Sequence, residues 1–385
     1  MEDDTLLAHA GRKPFENYGI VNPPVYHAST VLFPTLEAFQ SAATAKVKYG
    51  RRGTPTSFAL EEAVAKLEGA HGAVALPSGL AAITTALMAC TKAGDNVLIT
   101  DSSYAPTRQF MDNLLVRFGV SATYYDPTIG ADIDGLIRDN TSVVWTECPG
   151  SQTFEMQDIP AIAKAAKARG AIVMMDNTWS GGYFCKPLAL GVDISVQAGT
   201  KYIVGHSDTM MGTVACNEAT YQRVHDTMGY LGIAPGPDDV YLALRGLRTM
   251  GVRLRQHHEA GLKIARWLSQ RPEVERVMHP GLESDPGHAI WKRDFTGASG
   301  LFGFVLKSDR HEAVAAMMDS LRYHGMGYSW GGFESLLIPT SPQKARSATQ
   351  WDPAGQTFRI HVGLEDPDDL IADLADGLQR FNDAL

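Results

Sequence analysis

The chain has 385 residues, 44% apolar and 20% charged, with a net charge of −9. That length exceeds one ordinary core and favours two or three domains, and the composition is that of a globular protein. The negative balance argues against nucleic acid or an anionic membrane as the main partner, and no apolar run reaches the ~18–20 residues that span a bilayer.

The N-terminus, "MEDDTLLAHAGRKPFENYG", is acidic and has no apolar signal region. Residues 1–53 read as an extended arm, because the paired prolines of "NPPVYHASTV" forbid helix and β-branched residues follow. "SFALEEAVAKLEGAHG" (Ser57–Gly72) then predicts a helix capped by Ser57 and ended by glycine. From there strands and helices alternate. "AVALP" leads to a helix opening at "SGLAAITTALMACTKAG", and "NVLITD" (Asn96–Asp101) to a helix around Thr107–Phe118. "SVVWTECP" is a buried strand leading to a loop, "IPAIAKAAKARG" a helix, and "AIVMMD" (Ala171–Asp176) and "DISVQAGT" are strands. The alternation predicts an α/β domain on a mostly parallel sheet, with ligands bound at the sheet's carboxyl edge. Leu244–Gln270 reads as one long helix bridging to a smaller α+β unit. There "SGLFGFVLK" and "TFRIHVGLE" are strands and "DPDDLIADLADGLQRF" is the closing helix. The expected division is an arm over 1–53, a main domain over 54–247 and a C-terminal domain over 248–385.

Cys90, Cys148, Cys185 and Cys216 are far apart and form no CxxC pair, so they predict reduced, partly buried thiols in a cytoplasmic protein. Cys148 has no evident activating partner and reads as a packed thiol. The histidines show no metal-binding spacing, and no metal is expected. The doublet His257-His258 reads as surface and packing.

Seven places can carry chemistry. "PSGLAAITTAL" (Pro77–Leu87) puts small residues at a strand-to-helix junction, where backbone N–H groups can face an anion; Ser78 can equally be a plain helix cap. Asp176 ends an apolar strand, as a partly buried carboxylate or as an N-cap. Lys201 follows Gly199-Thr200 in a turn, where desolvation would lower its pKa and free an amine for a Schiff base; a snorkelling surface lysine is the alternative. Together these supply what pyridoxal 5'-phosphate requires: a phosphate-binding helix end, an acid for the ring nitrogen and an amine. Tyr104 can stack on a planar cofactor or cover the core edge. Arg359, inward on a strand, fits a substrate carboxylate or an edge-strand salt bridge. Trp330 in "SWGGFES" lines a pocket or plugs the core. "GHSDT" resembles the opening of a G-x-S-x-G nucleophile elbow at Ser207, with Thr209 in place of the last glycine.

The chain resembles the Cys/Met-metabolism family of pyridoxal-phosphate enzymes, and most of all its β-lyase branch. The matching stretches are "YGRRGTPT", "LEGAHGAVALPSGLAA", "MMDNTW", "QAGTKYIVGHSD", "RGLRTMGVRLRQHH", "SWGGFES" and "RIHVGLED", in order over nearly the whole chain. The resemblance implies the fold type I, aspartate aminotransferase-like architecture and β-elimination of L-cystathionine to L-homocysteine, pyruvate and ammonia. It implies that Lys201 bonds the cofactor, Asp176 holds its ring nitrogen and Tyr104 stacks on it. Gly79, Leu80 and Thr200 would hold its phosphate. Tyr49 and Arg51 would reach the phosphate of a neighbouring subunit, which requires a homo-oligomer with shared sites, usually a dimer of dimers. Arg359, Ser329 and Trp330 would bind the substrate. Ala198 departs from many relatives, which resemble a serine there. Trp330 stands where γ-acting relatives resemble "SLGG", so γ-elimination or γ-replacement is the competing chemistry.

Overall fold

In this computed structural model, which describes residues 1–385, the alternation of strands and helices builds a seven-stranded sheet. Its strands are β1 (Gly72–Leu76), β2 (Asn96–Thr100), β3 (Ser121–Tyr125), β4 (Thr141–Glu147), β5 (Ile172–Asp176), β6 (Ile194–Gln197) and β7 (Gly212–Cys216). They lie in the order β1-β7-β6-β5-β4-β2-β3. β7 runs antiparallel to both neighbours, and every other adjacent pair is parallel. Residues of β2 and β7 are buried throughout, as strands covered by helices on both faces must be. Parallel pairing brings the carboxyl ends of β2, β4, β5 and β6 to one edge, where Asp176 ends β5 and the loops carrying Tyr104 and Lys201 leave.

A second, four-stranded antiparallel sheet holds β8 (Val274–Met278), β9 (Leu301–Leu306), β10 (Leu336–Thr340) and β11 (Thr357–His361), in the order β10-β11-β9-β8. The helices Met250–Leu268, His311–Met318 and Pro367–Asp383 close its core around Phe302, Phe304, Phe358 and Phe381. β11 is an inner strand, so Arg359 is not on a sheet edge. No helix is long and apolar enough to cross a membrane, and all four cysteines are free and buried.

Several local expectations are corrected. The first long helix starts at Pro55 with Thr54 as its N-cap; Ser57 sits at the third helical position and completes a reciprocal capping box. The arm is not wholly extended, since Asp3–His9 and Leu36–Gln40 are helical. Leu7 is buried and Arg248 donates to the carbonyls of Leu7 and Ala10, which ties the first helix down. The long bridging pattern is two helices, Pro237–Arg248 and Met250–Leu268. They break at Thr249, where Arg253 takes the Gly246 carbonyl at 2.8 Å and also holds the carbonyl of Tyr202. His257 is not on the surface: it is fully buried against Val362 O, at 2.8 Å from Nδ1. His258 is half-buried and accepts the Ala298 N–H.

Candidate active site

The sheet's carboxyl edge opens onto a cavity of about 520 Å³ that gathers Gly79, Leu80, Tyr104, Asp176, Thr200, Lys201, Ser329, Trp330 and Arg359. A larger cavity of about 690 Å³ lies between Thr153–Asp158 and β8 and contains none of these. Converging chemistry, not size, marks the site.

Lys201 sits in the turn after β6. Its Nζ donates to Ser329 Oγ at 2.6 Å and lies 5.3 Å from the centre of the Trp330 ring. Burial and the nearby Arg359 charge bring its pKa down to about 8, against the opposing pull of Asp176. Roughly a tenth to a fifth of the amine is then neutral near pH 7, far more than for a solvated lysine. The turn is packed tightly: a Cβ on Gly331, whose φ is +84°, would lie 3.0 Å from both the Cα and the Cβ of Lys201. Ser329 also has a left-handed backbone (φ 77°), which turns its hydroxyl to Lys201 while its carbonyl accepts from Arg359 at 2.9 Å.

Asp176 ends β5 and is buried. Its Oδ1 accepts from Thr178 N at 3.0 Å and Thr178 Oγ1 at 2.5 Å, so the capping alternative is partly realised. No protein donor engages its second oxygen, which is left for a ligand. Burial pushes its pKa up, and the Thr178 hydrogen bonds and Lys201 counter that. Thr178 Oγ1 also accepts the Ala198 N–H at 2.9 Å, joining the strand ends that carry Asp176 and Lys201.

The helix Gly79–Cys90 begins at the cavity. Ser78 caps it by accepting Ala81 N–H at 3.1 Å, and its carbonyl takes Ala82 N–H. The N–H groups of Gly79 and Leu80 have no intrahelical acceptor and can hold an anion. Glycine is required at 79 because an added Cβ would lie 2.5 Å from the Cβ of Ala198. The departure at Ala198 is therefore part of the packing of this helix end. Thr200 Oγ1 bonds both backbone groups of Met211, at 3.1 Å and 2.9 Å.

Tyr104 starts the helix Ala105–Asn113 and is 43% exposed, towards the cavity it lines. Arg359 has its pKa lowered to about 10 by burial, the signature of a cation short of anionic partners, as expected of a group that awaits a carboxylate. Tyr49 and Arg51 do not join this cavity within the chain. They line a separate one of about 450 Å³, and Arg51 donates to Gly229 O at 2.8 Å. Ser207 is no nucleophile elbow: its hydroxyl donates to both oxygens of Glu334 at 2.6 Å, and no histidine is among its partners.

The sequence reading missed Glu147, Gln152, Met210 and Tyr328, which also line the cavity. Glu147 had a usable signal, since it ends an apolar strand as Asp176 does. The others sit in loops without a local mark.

An amine of lowered pKa, a buried acid with a free oxygen and an open helix N-terminus fit pyridoxal phosphate, and the site defines an enzyme of that cofactor class. The chain belongs to the Cys/Met metabolism PLP-dependent enzyme family, which it matches over residues 4–379, and its cofactor is pyridoxal 5'-phosphate. It is 51% identical to a putative cystathionine beta-lyase of Rhizobium johnstonii, over 97% of this chain and 95% of that one. It is 45% identical to the cystathionine beta-lyase of Escherichia coli, over 98% of both. An L-alanine/L-glutamate racemase of Wolbachia pipientis is 39% identical over 99% and 98%. The crystal structure of metB from Corynebacterium glutamicum superposes with a TM-score of 0.91 at 32% identity, covering 98% of each chain. The fold is the one the resemblance implied.

Proposed function

We propose that this protein is a carbon–sulfur lyase that cleaves L-cystathionine by β-elimination, using water and releasing L-homocysteine, pyruvate and ammonia. The observation that carries the proposal is the meeting of Lys201, Asp176, Tyr104 and Arg359 in one cavity of a chain that is 45–51% identical to cystathionine beta-lyases. The bound cofactor supplies a carbonyl that condenses with amines and a ring that draws electrons from the carbon beside them. Asp176 keeps a proton on the ring nitrogen, which sustains that pull. Gly79, Leu80 and Thr200 anchor the phosphate, and Tyr104 stacks on the ring. Arg359 pairs with the substrate α-carboxylate, while Ser329 and Trp330 form the wall beside it. Lys201 would hold the cofactor's carbonyl group at rest, and its free amine would take the substrate's Cα proton and return a proton to the departing sulfur. The released three-carbon enamine hydrolyses to pyruvate and ammonia.

Tyr49 and Arg51 complete the phosphate site of a neighbouring subunit, so the working enzyme is a homo-oligomer with shared sites, a dimer of dimers. The exposed Phe15, Tyr18, Ile20, Leu32, Leu36 and Phe39 of the arm support subunit docking. The division at residues 53 and 247 and a cytoplasmic location belong to the same proposal.

Thiol release tests the reaction. The holoenzyme given L-cystathionine yields one free thiol per turnover, and Lys201→Ala yields none and loses the cofactor's visible absorbance. Unchanged absorbance or turnover in that variant refutes the lysine's role. The racemase relative supports a second reading, because removal of the Cα proton by Lys201 followed by protonation of the opposite face would invert alanine. Loss of L-alanine's optical rotation without thiol release from cystathionine would establish that reading instead.

A further inference from the structure

We propose that Glu147 is a positioning residue that seats Tyr104 in the site. The inference rests on the proposed use of Tyr104 beside the cofactor. It starts from an irregularity in how the Ala105–Asn113 helix begins. Tyr104 is its N-cap residue, yet a tyrosine offers no side-chain cap and makes none here. In a reciprocal cap, a Glu or Gln at the third helical position reaches back to the N-cap N–H. Here the third position is Thr107, whose buried hydroxyl does not reach back to that N–H and finds no partner. A carboxyl group from another strand does that work: Glu147 Oε2 accepts the Tyr104 N–H at 2.6 Å. Burial and the neighbouring Asp176 charge push the Glu147 pKa well up, so this is a short bond to a buried acid and not to a solvated carboxylate.

The sheet explains why Glu147 reaches this spot. β4 lies between β2, whose end leads into Tyr104, and β5, whose last residue is Asp176. Glu147 is the last residue of β4 and is in register with Asp176. Register partners on parallel strands project to the same face, so both acids line the cavity. One side chain therefore ties the tyrosine segment to the strand beside the acid that holds the cofactor ring. A second support comes from below, where Asp101 is held by Arg108 of the same helix at 2.9 Å. Asp101 fixes the body of the helix, whereas Glu147 fixes the residue that carries the ring.

Hydrogen exchange and kinetics of the holoenzyme separate this from a general structural role. Glu147→Ala removes the acceptor, and exchange across the segment 101–110 should quicken roughly three- to tenfold while the rest of the sheet is unchanged, the size expected for losing one buried hydrogen bond. kcat for thiol release should fall by a similar factor with little change in KM. Glu147→Gln keeps an acceptor oxygen at the same reach and should restore both readouts to near the wild-type values. If Glu147→Ala does not accumulate as folded protein, Glu147→Asp, one methylene shorter, should show the same pattern. Unchanged exchange at 101–110 in the Ala or Asp variant overturns the proposal, and so does a Gln variant as impaired as Ala. Exchange reports on the Tyr104 segment whichever reaction the enzyme performs. A failure of the lyase reading therefore shows as absent thiol release by the wild type, not as unchanged exchange.

Discussion

Gly79→Ala tests whether the helix end grips the cofactor. The new methyl would lie 2.5 Å from the Cβ of Ala198 and 2.9 Å from its Cα, whereas ordinary contact begins near 3.4 Å. The shortfall is about 0.9 Å. Ala198 has no rotamer to turn, and its N–H is fixed by Thr178 Oγ1 at 2.9 Å, which in turn is fixed to Asp176. The helix start must therefore move away from the strand, carrying the Gly79 and Leu80 N–H groups with it. Overpacking of this size costs about 1–3 kcal/mol. If that cost falls on the bound state, the dissociation constant for pyridoxal phosphate rises roughly 5–150-fold. Titration of cofactor-free protein followed by visible absorbance measures it. Adding Ala198→Gly removes the closer contact and leaves the 2.9 Å one, so the double variant should recover part of the loss. A Gly79→Ala protein with wild-type cofactor affinity would refute the phosphate site at this helix end.

Other expectations follow from the same geometry. In cofactor-free protein, amine-reactive labelling of Lys201, read by mass spectrometry of its peptide, should rise with pH through a midpoint near 8. Arg359→Ala should move that midpoint upward, because it removes a positive charge and admits water; a downward shift would contradict the coupling. Asp101 should support a latch between domains. Its buried carboxylate accepts the N–H groups of Ser347, Ala348 and Thr349 and an Arg108 contact. Burial alone would raise its pKa, but the bonds from Thr349, Ser347 and Arg108 outweigh it and the net shift is downward. That stabilisation is present above the unfolded carboxylate pKa of ~3.9 and is lost as pH falls through the lower folded value. Asp101→Asn should cost about 3–5 kcal/mol in chemical denaturation near neutral pH and flatten the acid limb; an unchanged midpoint would rule the latch out. Gly331→Ala, forced into a left-handed backbone against Lys201, should lower kcat while the helix end still binds cofactor. Normal kcat would show that the turn tolerates displacement. Mixing Arg51→Ala with Lys201→Ala subunits should restore part of the activity if sites are shared, and no rescue would point to self-contained subunits.

Local rules exposed the chemistry where it lay at the ends of regular elements. Asp176 stops an apolar strand, Lys201 breaks a strand-like run and Ser78 opens a good helix, so each stood out from its neighbours. Glu147 carried the same mark as Asp176, but its strand was read only as a passage to a loop. What stayed hidden depends on contacts between distant segments. The break at Thr249 is set by Arg253 reaching Gly246 and Tyr202, and the burial of His257 by its contact with Val362. Helical periodicity carries neither. Ser57 looks like a cap because it precedes an apolar run, although Pro55 fits the first helical position and Thr54 the cap before it. Ala198 was visible as a departure, but its reason, the close approach of Gly79, needs the fold. The neighbouring-subunit roles of Tyr49 and Arg51 rest on the resemblance, since within one chain they face another cavity.

Identification of the keto acid released from L-cystathionine by the holoenzyme tests the central claim most directly. A coupled lactate dehydrogenase assay with chromatographic separation of the products distinguishes the candidates. Cleavage at Cβ, as proposed, gives pyruvate with homocysteine as the thiol. 2-Oxobutyrate with cysteine would contradict it and assign the site to γ-elimination.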